Sequence, residues 1–175
     1  DGDPIESIAE LPQAERDRVV GTMIELMLHE LFTLNMVQTD ANFANYRYQP
    51  ATGRIVLLDF GATRRFAPEF VTAYRKLLKA MLADDQSAMV IAAETIGYVV
   101  NDVHPTYRAL LIDVFQLVGE VFRADAPYTI KGARLSAQMT EKTLAMKDYR
   151  DDWHAPPIDA IFFHRKLGGM FLLAS

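Results

Sequence analysis

Two carboxylates and one amide side chain stand at a distinctive spacing in the first third of the chain. Asp40 is followed five residues later by Asn45, and Asp59 begins an Asp-Phe-Gly sequence further on. Phosphoryl transfer from ATP needs a carboxylate that orients or deprotonates the attacking hydroxyl, and an amide oxygen with a second carboxylate that hold Mg²⁺ against the phosphates. Mg²⁺ prefers oxygen ligands. Asp40, Asn45 and Asp59 offer these three groups in order, so the pattern predicts a site for phosphoryl transfer from ATP with Mg²⁺.

A short hairpin between these residues is what would bring them together. Residues 46–48 predict a strand, residues 50–53 a turn, and residues 55–58 a buried strand, because the last run is continuously apolar and partly β-branched. Pairing of the two strands folds the chain back, so that Asp59 lies beside the loop that carries Asp40 and Asn45. Protein kinases use this order of loop, hairpin and Asp-Phe-Gly. The alternative is purely structural, with Asp40 as a helix-end cap, Asn45 as a turn residue and Asp59 in a strand-ending turn.

The rest of the chain has a helical period. An amphipathic helix is predicted from Ala14 to about residue 34, with Glu25 and His29 on its solvated face. Five more helices are predicted at residues 69–82, 86–99, 106–122, 135–147 and 158 to the end. The predicted fold class is mostly α (α+β): a single domain over residues 1–175, with one short antiparallel β-hairpin at the catalytic and metal site.

Composition narrows the function classes. The net charge of −5 lacks the basic surplus of a nucleic-acid binder, and no apolar run is long enough for a transmembrane segment. The chain has no Cys, which excludes disulfides, thiolate metal sites and thiol nucleophiles. We expect a cytoplasmic protein, with peripheral attachment at the inner membrane as the alternative.

The blocks around the predicted site resemble a known family. Residues 38–46 (QTDANFANY) and 57–64 (LLDFGATR), with residues 163–173 (FHRKLGGMFLL), are similar to the UbiB/ADCK family of atypical kinases, above all to its ubiquinone-biosynthesis branch. The resemblance implies a protein-kinase-like C-terminal lobe that binds ATP and Mg²⁺. It gives Asp40 the catalytic-loop role and makes Asn45 and Asp59 the metal ligands. It also implies a role in ubiquinone or isoprenoid-lipid metabolism, with lipids or quinone-pathway proteins as partners.

The sequence departs from this family at one point, and the parts of an N-terminal lobe are missing from it. Ala41 stands where the family usually has Pro, which should loosen the loop without removing a ligand. No Gly-x-Gly phosphate loop and no Lys-x-Gly-Gln motif occurs in the chain. The chain begins without Met and stops in a predicted helix, so we expect an excised piece whose N-terminal lobe lies upstream, and we expect the fragment alone to be inactive.

Two other functions remain open from the sequence. A small-molecule phosphotransferase of the aminoglycoside or choline type also uses Asp-x-x-x-x-Asn, but it usually has a different element where Asp59-Phe60-Gly61 stands here. A non-catalytic helical interaction module is the third hypothesis. The basic residues His164, Arg165 and Lys166 could meet a phosphate or a lipid headgroup, although a solvated helix start is the favoured interpretation of them.

Overall fold

The structure, a computed structural model, describes residues 2–100, 103–124, 134–152 and 155–173. The predicted α-helices and the predicted hairpin occur in the predicted order, and a fold that is mostly helical with short antiparallel strands is confirmed. In chain order the elements are β1 (Asp3–Pro4), α1 (Gln13–Phe32), β2 (Met36–Gln38), β3 (Tyr46–Gln49), β4 (Arg54–Leu57), β5 (Thr63–Arg65), α2 (Pro68–Ala83), α3 (Gln86–Ile96), α4 (Pro105–Arg123), α5 (Arg134–Ala145) and α6 (Ile158–Leu173). Short 3-10 segments lie at Ile5–Glu10, Phe43–Asn45 and Met146–Asp152.

The chain divides into two compact units. The first contains Asp1–Ala67 with Ile161–Ser175, and the second contains Pro68–Ala160. The predicted site lies wholly in the first unit. That the chain forms a single domain stays a prediction.

The predicted hairpin is present in the first unit. β3 and β4 pair antiparallel, with Tyr46 opposite Leu57 and Tyr48 opposite Ile55. Both tyrosines are buried, whereas the alternate residues of β3 are only half-buried, which is the two-residue period of a strand with one face on a core. The turn between the strands closes at Gly53, whose N–H donates to the carbonyl of Gln49 at 2.8 Å.

Three strands were not predicted, so the expectation of a single pair was wrong. β1 adds to β3 and completes a three-stranded sheet, and β2 pairs with β5 in a second small sheet. These strands are only two or three residues long, too short for an alternating pattern to appear in the sequence. The prediction that residues 55–58 form a buried strand was also wrong in its burial. β4 lies at the edge of its sheet, its side chains are at most half-buried, and Leu58 beyond it is 52% exposed.

Helix α1 has the predicted amphipathic form. Its buried apolar side chains recur every four residues and face the core of the first unit: Val19, Met23, Met27 and Leu31. Glu25 and His29 are exposed, as predicted. Glu30, however, is buried, although an acidic residue in a helix normally lies on the solvated face.

The second unit is helical in its described part. α2 packs against α3 and α4, and the side chain of Asp85 caps α3 by accepting a hydrogen bond from the N–H of Ala88 at 3.0 Å. Gly97 ends α3 in the left-handed conformation, with φ at 95°. Among the described residues, no helix is both long and apolar enough to cross a membrane.

Gly97→Ala should lower the free energy of unfolding by about 1–2 kcal/mol, because an L-residue is strained in the left-handed region. A Cβ atom at this position would also lie 3.1 Å from Cγ of Pro157. The matched control is Gly21→Ala inside α1, where a Cβ atom meets nothing within 4 Å. That substitution should stabilise by about 0.5–1 kcal/mol through helix propensity. Urea unfolding of both variants checks this, and equal effects would contradict the assigned strain.

Candidate active site

Two antiparallel ladders hold the loops that carry the predicted site residues. β2 pairs with β5, which sets Gln38 opposite Thr63, and β3 pairs with β4. The loop of residues 39–45 and the loop of residues 58–62 are therefore each held at both ends. Two backbone hydrogen bonds join these loops directly. The N–H of Thr39 donates to the carbonyl of Ala62 at 3.1 Å, and the N–H of Leu58 donates to the carbonyl of Asn45 at 3.0 Å.

The carboxylate of Asp40 is fixed through both of its oxygens. Asn45 donates from Nδ2 to Oδ2 at 2.8 Å, a direct contact between two of the three predicted site residues. Oδ1 accepts from Nη2 of Arg165 at 3.0 Å and from the backbone N–H of Asn42 at 3.3 Å. The side chain of Asp40 remains 27% exposed, so the carboxylate is oriented and still reachable from solvent.

Asn45 and Asp59 line one small pocket, together with Glu30, Gln38, Tyr46, Leu57 and Phe60. Gln38 joins the two halves of the site. Its amide donates to the backbone carbonyl of Asp59 at 2.9 Å, and its side-chain oxygen accepts from the N–H of Asp40 at 2.5 Å. The structure thus brings Asp40, Asn45 and Asp59 together. Gln38, which is buried, is the positioning residue that the sequence did not single out for this role.

The donor set in this pocket fits a hard cation. Because Nδ2 of Asn45 donates a hydrogen bond to Asp40, the amide oxygen of Asn45 is available to bind a ligand. Asp59 is exposed, and one of its two oxygens accepts from the N–H of Gly61 at 2.7 Å. Among the described residues no three His, Asp or Glu side chains form a metal cage. A site of one amide and one carboxylate suits Mg²⁺, which commonly keeps water and takes substrate phosphates as further ligands.

Helix α6 supports this site along several turns. Phe163 packs edge-on against Phe66, with ring centroids 6.4 Å apart, and the guanidinium of Arg64 lies 4.9 Å from the centroid of the Phe162 ring. Gly169 approaches the loop so closely that a Cβ atom there would lie 2.4 Å from Cβ of Ala41. The C-terminal helix is therefore part of the site's framework.

The interpretation of the basic residues of α6 as a solvated helix start was wrong for one of them. His164 and Arg165 are exposed, but Lys166 is only 3% exposed. Its position between the buried Phe163 and Met170 places it on the inward face of the helix. That spacing was visible in the sequence and could have predicted the burial.

Lys166 belongs to a buried polar cluster behind the loop. Its ammonium donates to the hydroxyl of Tyr46. Burial lowers the pKa of Lys166, while the negative charges of Glu30 and Asp40 act to raise it. Burial raises the pKa of Glu30, and Lys166 acts to lower it. The pKa of Tyr46 rises to about 12 through burial and the nearby carboxylates. A buried cation thus offsets the negative charge of the loop from the side away from solvent.

Comparisons with known proteins agree with the resemblance. The sequence model described as the ABC1 atypical kinase-like domain matches residues 1–93. The chain is 30% identical over 178 residues to the mitochondrial atypical kinase coq-8 of Caenorhabditis elegans, covering 99% of this chain and 23% of that protein. It is 33% identical over 174 residues to the mitochondrial atypical kinase COQ8 of Saccharomyces cerevisiae, covering 96% and 34%. The chain therefore spans about a quarter to a third of the length of the curated relatives it matches.

Gly169→Ala should lower the free energy of unfolding by about 1–3 kcal/mol, because the added methyl group must displace the loop at Ala41. Gly168→Ala is the matched control on the same helix, where a Cβ atom meets nothing within 4 Å. It should be neutral or stabilising by up to about 1 kcal/mol. Thermal and urea unfolding measure both variants. Similar values for the two would show that α6 does not pack on the loop as described.

Lys166→Met should make stability more sensitive to pH. Removing the ammonium takes away an attraction that lowers the pKa of Glu30, so this pKa rises further above 4.5. A raised carboxyl pKa contributes stability below the unfolded value, and this contribution is lost as the pH rises through the folded value. The free energy of unfolding of Lys166→Met, relative to the wild type, should therefore fall as the pH increases from about 4.5 to about 7.

Urea unfolding at several pH values measures this slope. The control places Lys166→Met in a Glu30→Gln background, where the additional pH dependence should disappear because position 30 no longer titrates. Parallel stability profiles for the wild type and Lys166→Met would show that Lys166 and Glu30 are not coupled.

Proposed function

This chain belongs to the ABC1 atypical kinase-like family, and from that membership we propose that it is the metal-binding C-terminal lobe of an ATP- and Mg²⁺-dependent phosphotransferase or ATPase of the UbiB/ADCK type. The observation that carries the proposal is the arrangement of Asp40, Asn45 and Asp59. The first two are in direct contact, and the last two line one pocket. Kinase-like catalysis requires these three groups on one surface.

Each residue has a role that its surroundings favour. Asp40 accepts the proton of the attacking hydroxyl, or orients that hydroxyl, because its carboxylate is fixed yet reachable from solvent. Asn45 and Asp59 would hold Mg²⁺, with the amide oxygen of the first and a carboxylate oxygen of the second as ligands. When bound, Mg²⁺ neutralises charge on the phosphates of ATP. Gln38 connects the two loops through the backbone carbonyl of Asp59 and the backbone N–H of Asp40, and so holds these two residues near each other.

The pathway that we propose is the synthesis of ubiquinone or a related isoprenoid lipid. Support comes from the relatives: both have names of the COQ8 type, both are named as atypical kinases and both are named as mitochondrial. The phosphate acceptor is a lipid or protein of that pathway, or water if the full protein is an ATPase. A cytoplasmic location, with peripheral attachment at the inner membrane as the alternative, stays a prediction for this chain.

The partner that completes the site is an N-terminal lobe of the same protein. A kinase holds the phosphates from above with a lysine and a covering loop. Phe60 and Leu58 beside the pocket are 57% and 52% exposed, and they offer apolar surface to such a lobe. ATP is then bound between the two lobes.

The full gene product that contains this chain should hydrolyse or transfer the terminal phosphate of ATP in a Mg²⁺-dependent manner. Asp59→Asn should lower the rate by at least about 10², because a metal-binding carboxylate is lost from the site. Asp17→Asn changes an exposed carboxylate on α1 and is the control, with an unchanged rate expected. The measurement is phosphate release with and without Mg²⁺. Equal rates for Asp59→Asn and the wild type would exclude the metal assignment.

The fragment of residues 1–175, assayed alone, should show no ATP turnover above background. It supplies only the groups of the C-terminal lobe. Catalysis of phosphoryl transfer depends on positioning and charge stabilisation by groups of both lobes. The same phosphate-release assay tests this. Turnover by the fragment that is lost in Asp59→Asn would mean that this lobe is self-sufficient.

A further inference from the structure

The loop that carries the proposed catalytic group has no positive charge of its own. Residues 39–45 include no Lys, Arg or His. In phosphoryl transfer, negative charge is spread over the oxygens of the transferred phosphate, and positively charged groups stabilise it there. The proposed Mg²⁺ and the lysine of an N-terminal lobe would supply part of this charge, and any further cation beside Asp40 must come from another element of this chain.

We propose that Arg165 supplies this cation and binds the terminal phosphate of a nucleoside triphosphate, an inference that rests on the proposed function. Arg165 lies 125 residues beyond Asp40 in the chain and donates to its carboxylate at 3.0 Å. The contact places a guanidinium beside the group that receives the proton of the acceptor hydroxyl. A phosphate that reacts next to Asp40 comes within reach of Arg165.

The position of Arg165 is set by its neighbours on α6. Phe163 and Lys166 are both buried, and Gly169 lies against Ala41. These contacts fix the rotation of the helix in the first unit. Arg165, which lies between Phe163 and Lys166 in the sequence, is therefore held at the edge of the loop. Its backbone is anchored while its side chain is 60% exposed. This combination suits a residue that must reach a ligand arriving from solvent.

The guanidinium has unused binding capacity. Arginine carries five N–H donors in a planar fork that matches phosphate oxygens. Of the donor atoms of Arg165, only Nη2 donates to Asp40, so the other N–H groups of the guanidinium remain for an anion. Lys166 is the other cation of this helix turn, but it is buried against Tyr46 and cannot reach a ligand in solvent.

Stabilisation of the fold does not explain the contact between Arg165 and Asp40. Ion pairs that are this exposed contribute little to stability, because solvent screens them and long side chains lose conformational freedom. In the reaction, Asp40 takes the proton of the acceptor oxygen while that oxygen bonds to the terminal phosphorus and the bond to the bridging oxygen breaks. Arg165 then stabilises the charge on the remaining phosphate oxygens.

The test is nucleotide binding to the full gene product, measured by titration calorimetry. The ligands are Mg²⁺ with ADP, and Mg²⁺ with a non-hydrolysable ATP analogue that retains the terminal phosphate. Arg165→Ala should weaken binding of the analogue by at least about tenfold, since a hydrogen bond to a charged group is lost. The affinity for ADP should stay within about twofold of the wild-type value, because ADP lacks the phosphate concerned. Arg165→Lys keeps the charge and should lose less.

The control is Arg54→Ala, which removes an exposed arginine at the far end of the hairpin and should change neither affinity. Thermal unfolding verifies that each variant is folded. If Arg165→Ala does not fold, the affinities of Arg165→Lys for the analogue and for ADP are compared instead. An equal change in both affinities, no change in either, or tighter binding of the analogue overturns the role of Arg165. If the wild type binds neither nucleotide, the proposed function fails first and this inference fails with it.

Discussion

The pairing of β2 with β5 is the constraint on which the site depends. The hairpin of β3 and β4 fixes only one end of each loop, and a loop held at one end samples many positions. The three residue pairs of β2 and β5 fix the other ends. Thr39 extends this connection, because its hydroxyl donates to the carbonyl of Ala62 at 2.8 Å. Asp40 and Asp59 thus lie between two ladders whose spacing the backbone sets.

The polar residues buried around this pairing make it specific. A buried amide or hydroxyl without a partner is strongly destabilising, and Gln38 satisfies its side-chain groups only when both loops are in place. The same holds for Lys166 on α6, whose ammonium meets Tyr46 across 120 residues of sequence. A shift of either element would leave buried polar groups unpaired. The network therefore selects one arrangement of helix, loop and strand, and this is the arrangement that presents the carboxylate of Asp40.

The parts of the structure that follow from local patterns were predictable, and those that follow from tertiary contacts were not. The helices and the hairpin have periods that can be read in the sequence, whereas the hydrogen bond between Asn45 and Asp40 was not predicted from their spacing. β2 and β5 have too few residues for a period, so their pairing depends on the fold that surrounds them. The burial of Glu30 and Lys166 was not predicted, although the spacing of Lys166 from Phe163 and Met170 favoured it, because charged side chains are rarely buried unless partners compensate them. Those partners come from distant parts of the chain.

Ala41 illustrates how a distant contact can replace a local restraint. The resemblance to the UbiB/ADCK family led us to expect a looser loop, since proline restricts its own backbone and alanine does not. In this structure Gly169 lies against Ala41, and a Cβ atom on that glycine would come within 3.4 Å of the Ala41 backbone oxygen. The helix surface therefore confines the backbone beside Asp40 from outside. Confinement of this kind depends on the register of α6, which Lys166 and Phe163 set, so the order of the proposed catalytic loop is tied to the last helix of the chain.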